Sequence, residues 1–413
     1  MSRAGIFSIH SWIAGVALTA SLILAGCGGG GGDSSGTPTN TTPTTTGPTV
    51  FDVSNAPTKL SAWNMVGVQG TTLSLNGALV PYDLNSTLFS DYAFKLRAIY
   101  VPPGKTINYT TASTDTLDFP IGTVLVKTFY YPNATGTDPA NYLPVAHALQ
   151  TQEGTTIDLT TYHLVETRLL VRQADGTWAG LPYVWDDDQK DATLTTQGKY
   201  ISMELVEPGG ASSQKFTYAV PNSQTCQQCH ASSTNGSGSA TPIGPKSRNL
   251  NKTYDYGNGT VKNQLQNLAD LKLLAGFTGV ASAPVNADWK DTTQPLEQRA
   301  KAYLDVNCAH CHNGKGYASQ SGLLLTFDNI GTTTATDTWG ICKLPLAYVG
   351  TGLPGYKYDI NPGSPGASIL LYRMSHVGAG QTMPVVGRQT NHVEGISMVS
   401  DWIQSLSLPA CAP

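Results

Sequence analysis

Residues 295–312, PLEQRAKAYLDVNCAHCH, carry the reading from which the rest of the chain is interpreted. Pro295 opens a helix on which Leu296, Ala300, Tyr303 and Leu304 share one face. That helix runs directly into Cys308-Ala-His-Cys311-His312, where two thiols and an imidazole stand at positions i, i+3 and i+4 and share one face of a helical turn. Two thiols so spaced can add to the two vinyl groups of one haem, and the histidine that follows is then held against the iron. The spacing recurs in Cys226-Gln-Gln-Cys229-His230. At the chain's own Cys and His frequencies such a string arises about 0.002 times per sequence, so two copies are not an accident. A zinc cluster of Cys226, Cys229, Cys308 and Cys311 is the competing reading, but the gap between the pairs is far longer than a ribbon loop, and zinc needs no histidine after each pair. A thioredoxin-like dithiol would not repeat with histidine attached.

The amino-terminal end points to export. Residues 1–26 carry one basic residue, Arg3, and an apolar run from Trp12 to Leu24 too short for a comfortable membrane span. Leu24-Ala25-Gly26-Cys27 resembles a bacterial lipobox, which makes 1–26 a lipoprotein signal peptide and Cys27 the lipid anchor, with ordinary signal cleavage as the plainer alternative. Residues 27–50, rich in Gly, Ser, Thr and Pro, read as a flexible tether. By the same resemblance, Gly28 favours an outer-membrane destination, facing periplasm or surface. The seven cysteines then divide into one anchor, four haem thioethers and a remaining pair, Cys342 and Cys411. In an oxidising compartment that pair is a disulfide candidate, with two buried free thiols as the alternative.

Composition bounds the rest. With 413 residues, 40% apolar and 13% charged, the chain can bury a substantial core and is long for one domain. The net charge of −4, or −5 once Arg3 leaves with the signal, argues against nucleic acid as a partner. Residues 51–220 read as a β-rich domain, with strands clearest at Lys95–Val101, Val124–Tyr131, Val165–Arg172 and Phe216–Val220 and a hairpin turn at Ala174-Asp175-Gly176. Phe129, Tyr130, Tyr131, Trp178, Tyr183 and Trp185 are expected in its core, a carbohydrate platform being the sharper alternative. Asp186-Asp187-Asp188 reads as a solvated acidic turn rather than a calcium loop. Residues 221–294 form a first haem-binding segment with a helix over Lys262–Leu274, where leucines recur every third residue. That segment is too sparse to enclose a haem alone, so its pocket must be borrowed from its neighbours, bringing the two haems near each other.

Residues 295–413 resemble class I cytochrome c, in which the first and last helices pack together; Ile396, Val399, Trp402, Ile403 and Leu406 supply the last one. The expected architecture is multi-domain α+β: an N-terminal β-sandwich-like domain, a haem-bearing junction and a C-terminal all-α class I cytochrome c-like domain. Met383, on a loop before the last helix, is the expected sixth ligand of the second haem. Met374 and Met398 read as packing, while His376 and His392 keep a bis-histidine site open. His310 reads as solvent-facing, and Arg388 as a propionate partner or an ordinary surface arginine. For the first haem, Met203, His147, His163 and Met65 are available as sixth ligand, with Met203 slightly ahead.

Four stretches carry a further resemblance: Pro81-Tyr82-Asp83-Leu84-Asn85, Glu166-Thr167-Arg168-Leu169-Leu170, Pro242-Ile243-Gly244-Pro245-Lys246 and Tyr303 to His312. They are similar to those of an exported family of diheme c-type cytochromes of unassigned function, over nearly all of residues 55–413. The resemblance implies two covalent haems and, because members are often found beside a parallel β-helix repeat protein, such a protein as a surface partner. A haem with two protein ligands has no open position, so the expected activity is one-electron transfer between redox partner proteins rather than catalysis. A diheme peroxidase or oxidase with an open first haem is the alternative, as is a lipoprotein whose β domain binds a partner or polymer while its haems serve a separate dehydrogenase.

Overall fold

The computed structural model describes residues 47–110, 116–151, 154–231, 240–346 and 356–412. The signal segment, Cys27 and the tether as far as residue 46 lie outside the described residues.

The apolar, Val-, Leu- and Tyr-rich runs of the first half pair into a six-stranded antiparallel sheet. Its strands lie in the order Ala192–Leu194, Trp178–Trp185, Tyr162–Arg172, Val124–Pro132, Phe94–Tyr100 and Leu79–Tyr82. Such residues suit a pleated surface covered on both sides, and Phe94–Tyr100 is buried along its whole length. Between Arg172 and Trp178 the chain reverses through Gly176, whose φ of +82° suits a residue without Cβ. One face of the sheet presents Leu96, Ala98, Val126, Leu169, Leu181 and Tyr183 to a three-stranded sheet of Val66–Gln69, Thr72–Leu75 and Thr156–Asp158, with Trp63, Met65 and Leu73 filling the gap.

The opposite face is divided. At one end Phe129, Val165 and Val184 meet Met203, Leu205, Phe216 and Tyr218 of another three-stranded sheet, made of Ser213–Val220, Lys199–Val206 and Leu143–Ala146. At the other, Ile99, Leu125 and Trp178 meet Leu250, Leu265, Leu268 and Val306. The six aromatics expected in one core therefore divide among three clusters, all buried. Asp186 bonds to Lys59 Nζ at 2.5 Å and Thr193 Oγ1 at 2.8 Å, engaged in a polar turn.

The described α-helices are α1 (Ser223–His230), α2 (Ser247–Leu250), α3 (Gln264–Asp270), α4 (Leu296–Asn307), α5 (Ile369–Met374) and α6 (Val393–Ser405). The helix expected over Lys262–Leu274 is shorter. The Asn263 side chain caps α3 by accepting from Leu265 N and Gln266 N, Lys272 has a left-handed φ of +61°, and Leu274–Ala275 pairs as a strand with Ile107–Asn108. Helices α4 and α6 pack together through Ala300, Tyr303, Leu304, Val399, Trp402 and Ile403. Each large side chain buried there contributes roughly 1.5–3 kcal/mol.

The expected C-terminal all-α class I cytochrome c-like domain is not formed. Strand predominates among the described residues, and among those of 295–413 only α4, α5 and α6, of 12, 6 and 13 residues, are α-helical, most of the rest being turns and loops. Nor does this segment stand apart, since Thr45–Pro413 is one compact unit. The physical reason is polar as well as apolar. Val306 of α4 packs into the core under the sheet, Asn307 Oδ1 accepts from Phe89 N at 2.8 Å, and Asp91 Oδ1 accepts from Gln389 N, Thr390 N and Thr390 Oγ1. Amphipathic periodicity marks α4 and α6 but says nothing of the long irregular connections, which take their order from the β portion. A disulfide joins Cys342 to Cys411 with Cα atoms 5.2 Å apart, tying the end of the chain to a loop after α4.

Candidate functional site

The first Cys-x-x-Cys-His string lies wholly within α1, which begins where Asn222 Oδ1 accepts from Thr225 N at 2.8 Å. The helix rests on the open face of the central sheet. There Gly180 leaves room for Cys226, whose Sγ lies 3.6 Å from where a Cβ at Gly180 would stand. After His230 the chain returns, so that His230 Nδ1 meets Thr241 O at 2.7 Å and Thr241 N donates to His230 O at 2.7 Å. Donation by Nδ1 selects the tautomer whose Nε2 is available to a ligand. Burial pushes His230 down to about 4, so the ring is neutral under ordinary conditions.

The second string follows the end of α4. Cys308 leaves helical geometry with φ −126°, and the next residues form a turn in which His312 N donates to Cys308 O at 2.9 Å. His312 Nδ1 faces Ser321 Oγ at 3.3 Å, and burial pushes this imidazole, too, down to about 4. Burial pushes the Cys308 thiol up to about 12.

The two strings touch. Cys311 Sγ lies 3.6 Å from Gln228 O, and the Cys311 thiol also donates to Cys229, which holds the Cys229 thiol below its ordinary value with His310 assisting. His310 therefore belongs to the junction between the strings rather than to solvent, and its Nδ1 is buried without a hydrogen-bond partner. Both strings open on one cavity of about 820 Å3, within the range of about 300–1,000 Å3 usual for cofactor and small-molecule sites. Among the described residues the four thiols are not gathered into a cluster that could hold a metal ion alone. Each of the four stretches that carry the diheme resemblance contributes to this cavity's wall: Tyr82 and Leu84, Arg168 and Leu170, Pro242 to Pro245, and residues between Tyr303 and His312.

Met383 lies on the cavity wall. Arg388 accounts for its placement and is a buried residue of the cavity wall rather than a surface arginine. It is 6% exposed and directs all five N–H groups to the chain: Nε to Met383 O, Nη1 to Thr390 O and Asn391 Oδ1, Nη2 to Arg373 O and His376 O, all at 2.8–3.0 Å. The guanidinium thus fixes the Met383 loop to the end of α5. Met374 lines the cavity while packed in the α4–α6 core, and Met398 is in that core alone. His376 stacks on Tyr372 with Nδ1 against Tyr372 O, off the cavity. His392 reaches the wall but stacks on Phe89 with Nδ1 at 2.9 Å from Tyr303 OH.

The sixth-ligand candidates for the first haem are elsewhere. Met203 and Met65 are wholly buried in two β cores, His147 pairs with Glu207 at 2.7 Å, and His163 lies by Gln189. None of the four lines the cavity. Sequence reasoning missed Arg97, Lys127 and Arg168, which do. Burial, with Arg168 and Arg97 adding, pushes Lys127 down to about 7. Their signal was the presence of cations within otherwise largely apolar strands, Lys95 and Arg97 in one, Lys127 in the next and Arg168 and Arg172 in the third. Compared with protein-family models, curated proteins and solved structures, the chain matches none.

Proposed function

We propose that this chain is an exported, membrane-anchored two-haem c-type cytochrome that passes electrons one at a time between partner proteins. The observation that carries the reading is that two Cys-x-x-Cys-His strings wall the same cavity and touch at Cys311 and Gln228. The donor sets suit the cofactor. Each string offers two thiols and a neutral imidazole whose Nδ1 is hydrogen-bonded, so Nε2 is the nitrogen left to ligate iron. Cys226 and Cys229 would hold one haem with His230, and Cys308 and Cys311 the other with His312 and Met383. When bound, the haems supply one-electron chemistry. The chain's own part is to orient the imidazoles, hold Met383 through Arg388, and exclude water with the apolar wall of Leu125, Leu170, Leu323 and Leu325. Export through residues 1–26 and anchoring at Cys27 belong to the same proposal.

Expression in a host that exports and matures c-type cytochromes tests it. Intact mass is expected to show two haem increments and reductive titration two electrons per chain. A mature chain bearing no haem, with Cys226, Cys229, Cys308 and Cys311 all open to alkylation, overturns the reading.

One observation favours a second reading, an enzyme with an open coordination position at the first haem: none of the four side chains expected to close that position lines the cavity. A high-spin signal with peroxide turnover would support it, and low-spin spectra from both haems in both oxidation states would exclude it.

A further inference from the structure

Three cations stand side by side on the cavity floor. The register of the central sheet sets Arg97 opposite Lys127 and Lys127 opposite Arg168, and all three line the cavity. Residues directly opposite have Cβ atoms ~4.5–5.5 Å apart, and like charges so placed oppose folding. The carboxylates nearby do not balance them. Asp83 takes Arg97 Nη1 at 2.5 Å but is shared with Lys252 at 3.5 Å. Glu166 takes Arg168 at 2.5 and 2.8 Å. Lys127 lies over the Phe129 ring at 5.1 Å and has no carboxylate within ion-pair distance among the described residues. Arg97 is 3% exposed, yet its Nη2 is buried with no acceptor. A buried guanidinium donor without an acceptor is costly, and this one belongs to a side chain that lines the cavity.

The neighbouring row on the same face, Ile99, Leu125, Leu170 and Gly180, is apolar, and Cys226 lies over Gly180. The floor thus changes from apolar to cationic over two residues along the strands, about 7 Å, starting beneath the first attachment string. This is the polarity of a haem, whose macrocycle is apolar and whose two propionates are anionic. We propose that Arg97, Lys127 and Arg168 form a carboxylate-binding wall that receives the propionates of the haem attached at Cys226 and Cys229. The proposal rests on the haem reading above. The shared chemistry is a carboxylate or similar oxyanion, and a free small dicarboxylate is the other source the wall could accept.

The test uses the full, haem-loaded chain with Lys127→Met and Lys127→Arg. Lys127 has no carboxylate partner, so its removal strands no buried anion. Haem count and thermal midpoint establish that each variant is loaded and folded, and Arg97→Gln serves as a second probe should Lys127→Met fail either check. Loss of one cation beside the propionates favours the ferric form, so the midpoint potential of one haem is expected to fall in Lys127→Met and Arg97→Gln. The other haem is expected to hold its potential, and Lys127→Arg to keep both at wild-type values. Unchanged potentials in loaded Lys127→Met and Arg97→Gln overturn the proposal. So does saturable binding of malonate to the wild-type chain that is lost in Lys127→Met, which would assign the wall to a free dicarboxylate. A chain with no haem instead sinks the haem reading itself, a result visible in the haem count before any potential is measured.

Discussion

At the residue scale, the chain bears buried charges whose partners lie far away in sequence. Lys246 Nζ stands 3.2 Å from Asp305 Oδ2 with both side chains at most 10% exposed, joining the Pro242–Lys246 stretch to α4 three residues before Cys308. Removing one member of such a pair leaves the other charged and unsolvated, at a cost of about 3–5 kcal/mol. Asp305→Asn is therefore expected to lose about that much in urea unfolding, and Lys246→Met with Asp305→Leu to lose much less. Equal losses in the single and double variants would show that the ion pair is not what the site needs. His392 sets an acid limit. Burial, with Lys95 and His147 adding, pushes it down to about 3, and Glu394, 3.8 Å from Nε2 and partly exposed, does not offset this. The unfolded chain takes up a proton near 6.5 that the folded chain refuses until about 3, so this contribution to stability is full above pH 6.5 and declines as pH falls through that window. Each tenfold difference in proton affinity between the two states is worth roughly 1.4 kcal/mol, so the effect amounts to a few kcal/mol. Thermal midpoints measured from pH 7 to pH 4 should fall less steeply in His392→Gln, and parallel curves would refute the assignment. The two Cys-x-x-Cys-His strings were legible because their spacing is local. The unshared Arg97 Nη2 and the role of Arg388 were not, because their surroundings come from distant segments.

At the element scale, the α4–α6 contact depends on one small residue. A Cβ on Gly395 would stand 2.6 Å from Tyr303 Oη and 2.7 Å from His392 Nδ1, so glycine is what allows α6 to approach α4 there. Overpacking of this kind costs about 1–3 kcal/mol, partly countered by the better helix propensity of alanine. Gly395→Ala is expected to lower stability by about that range in denaturant unfolding, and a neutral or stabilising result would mean that the helices can separate freely. The ends of α4 and of the central strands were close to readable from apolar periodicity and turn residues. The shortened α3 was not, because Leu274 repeats the leucine spacing of a helix yet pairs as a strand with Ile107–Asn108, a partner far away in the chain.

For the whole molecule, the Cys342–Cys411 disulfide closes 69 residues of chain around α5 and α6. Closing a loop of that length restricts the unfolded chain and stabilises the fold by about 2–4 kcal/mol. Replacing both cysteines by serine should lower the unfolding midpoint accordingly while leaving the haem count unchanged; a fall in haem content would mean that the disulfide shapes the cavity. The sequence by itself determined what depends on neighbours along the chain: the two attachment strings, the strand cores, the helix start at Pro295, and the cysteines free to pair. Tertiary structure alone decided that residues 295–413 share one body with the β portion, that both strings face one cavity, and that Arg97, Lys127 and Arg168 stand in a row on its floor. The reason is register. Side chains alternate across a sheet, so a slip of one residue between strands some 30 to 40 positions apart would carry each cation to the opposite face, and no local pattern encodes which pairing the folded chain adopts.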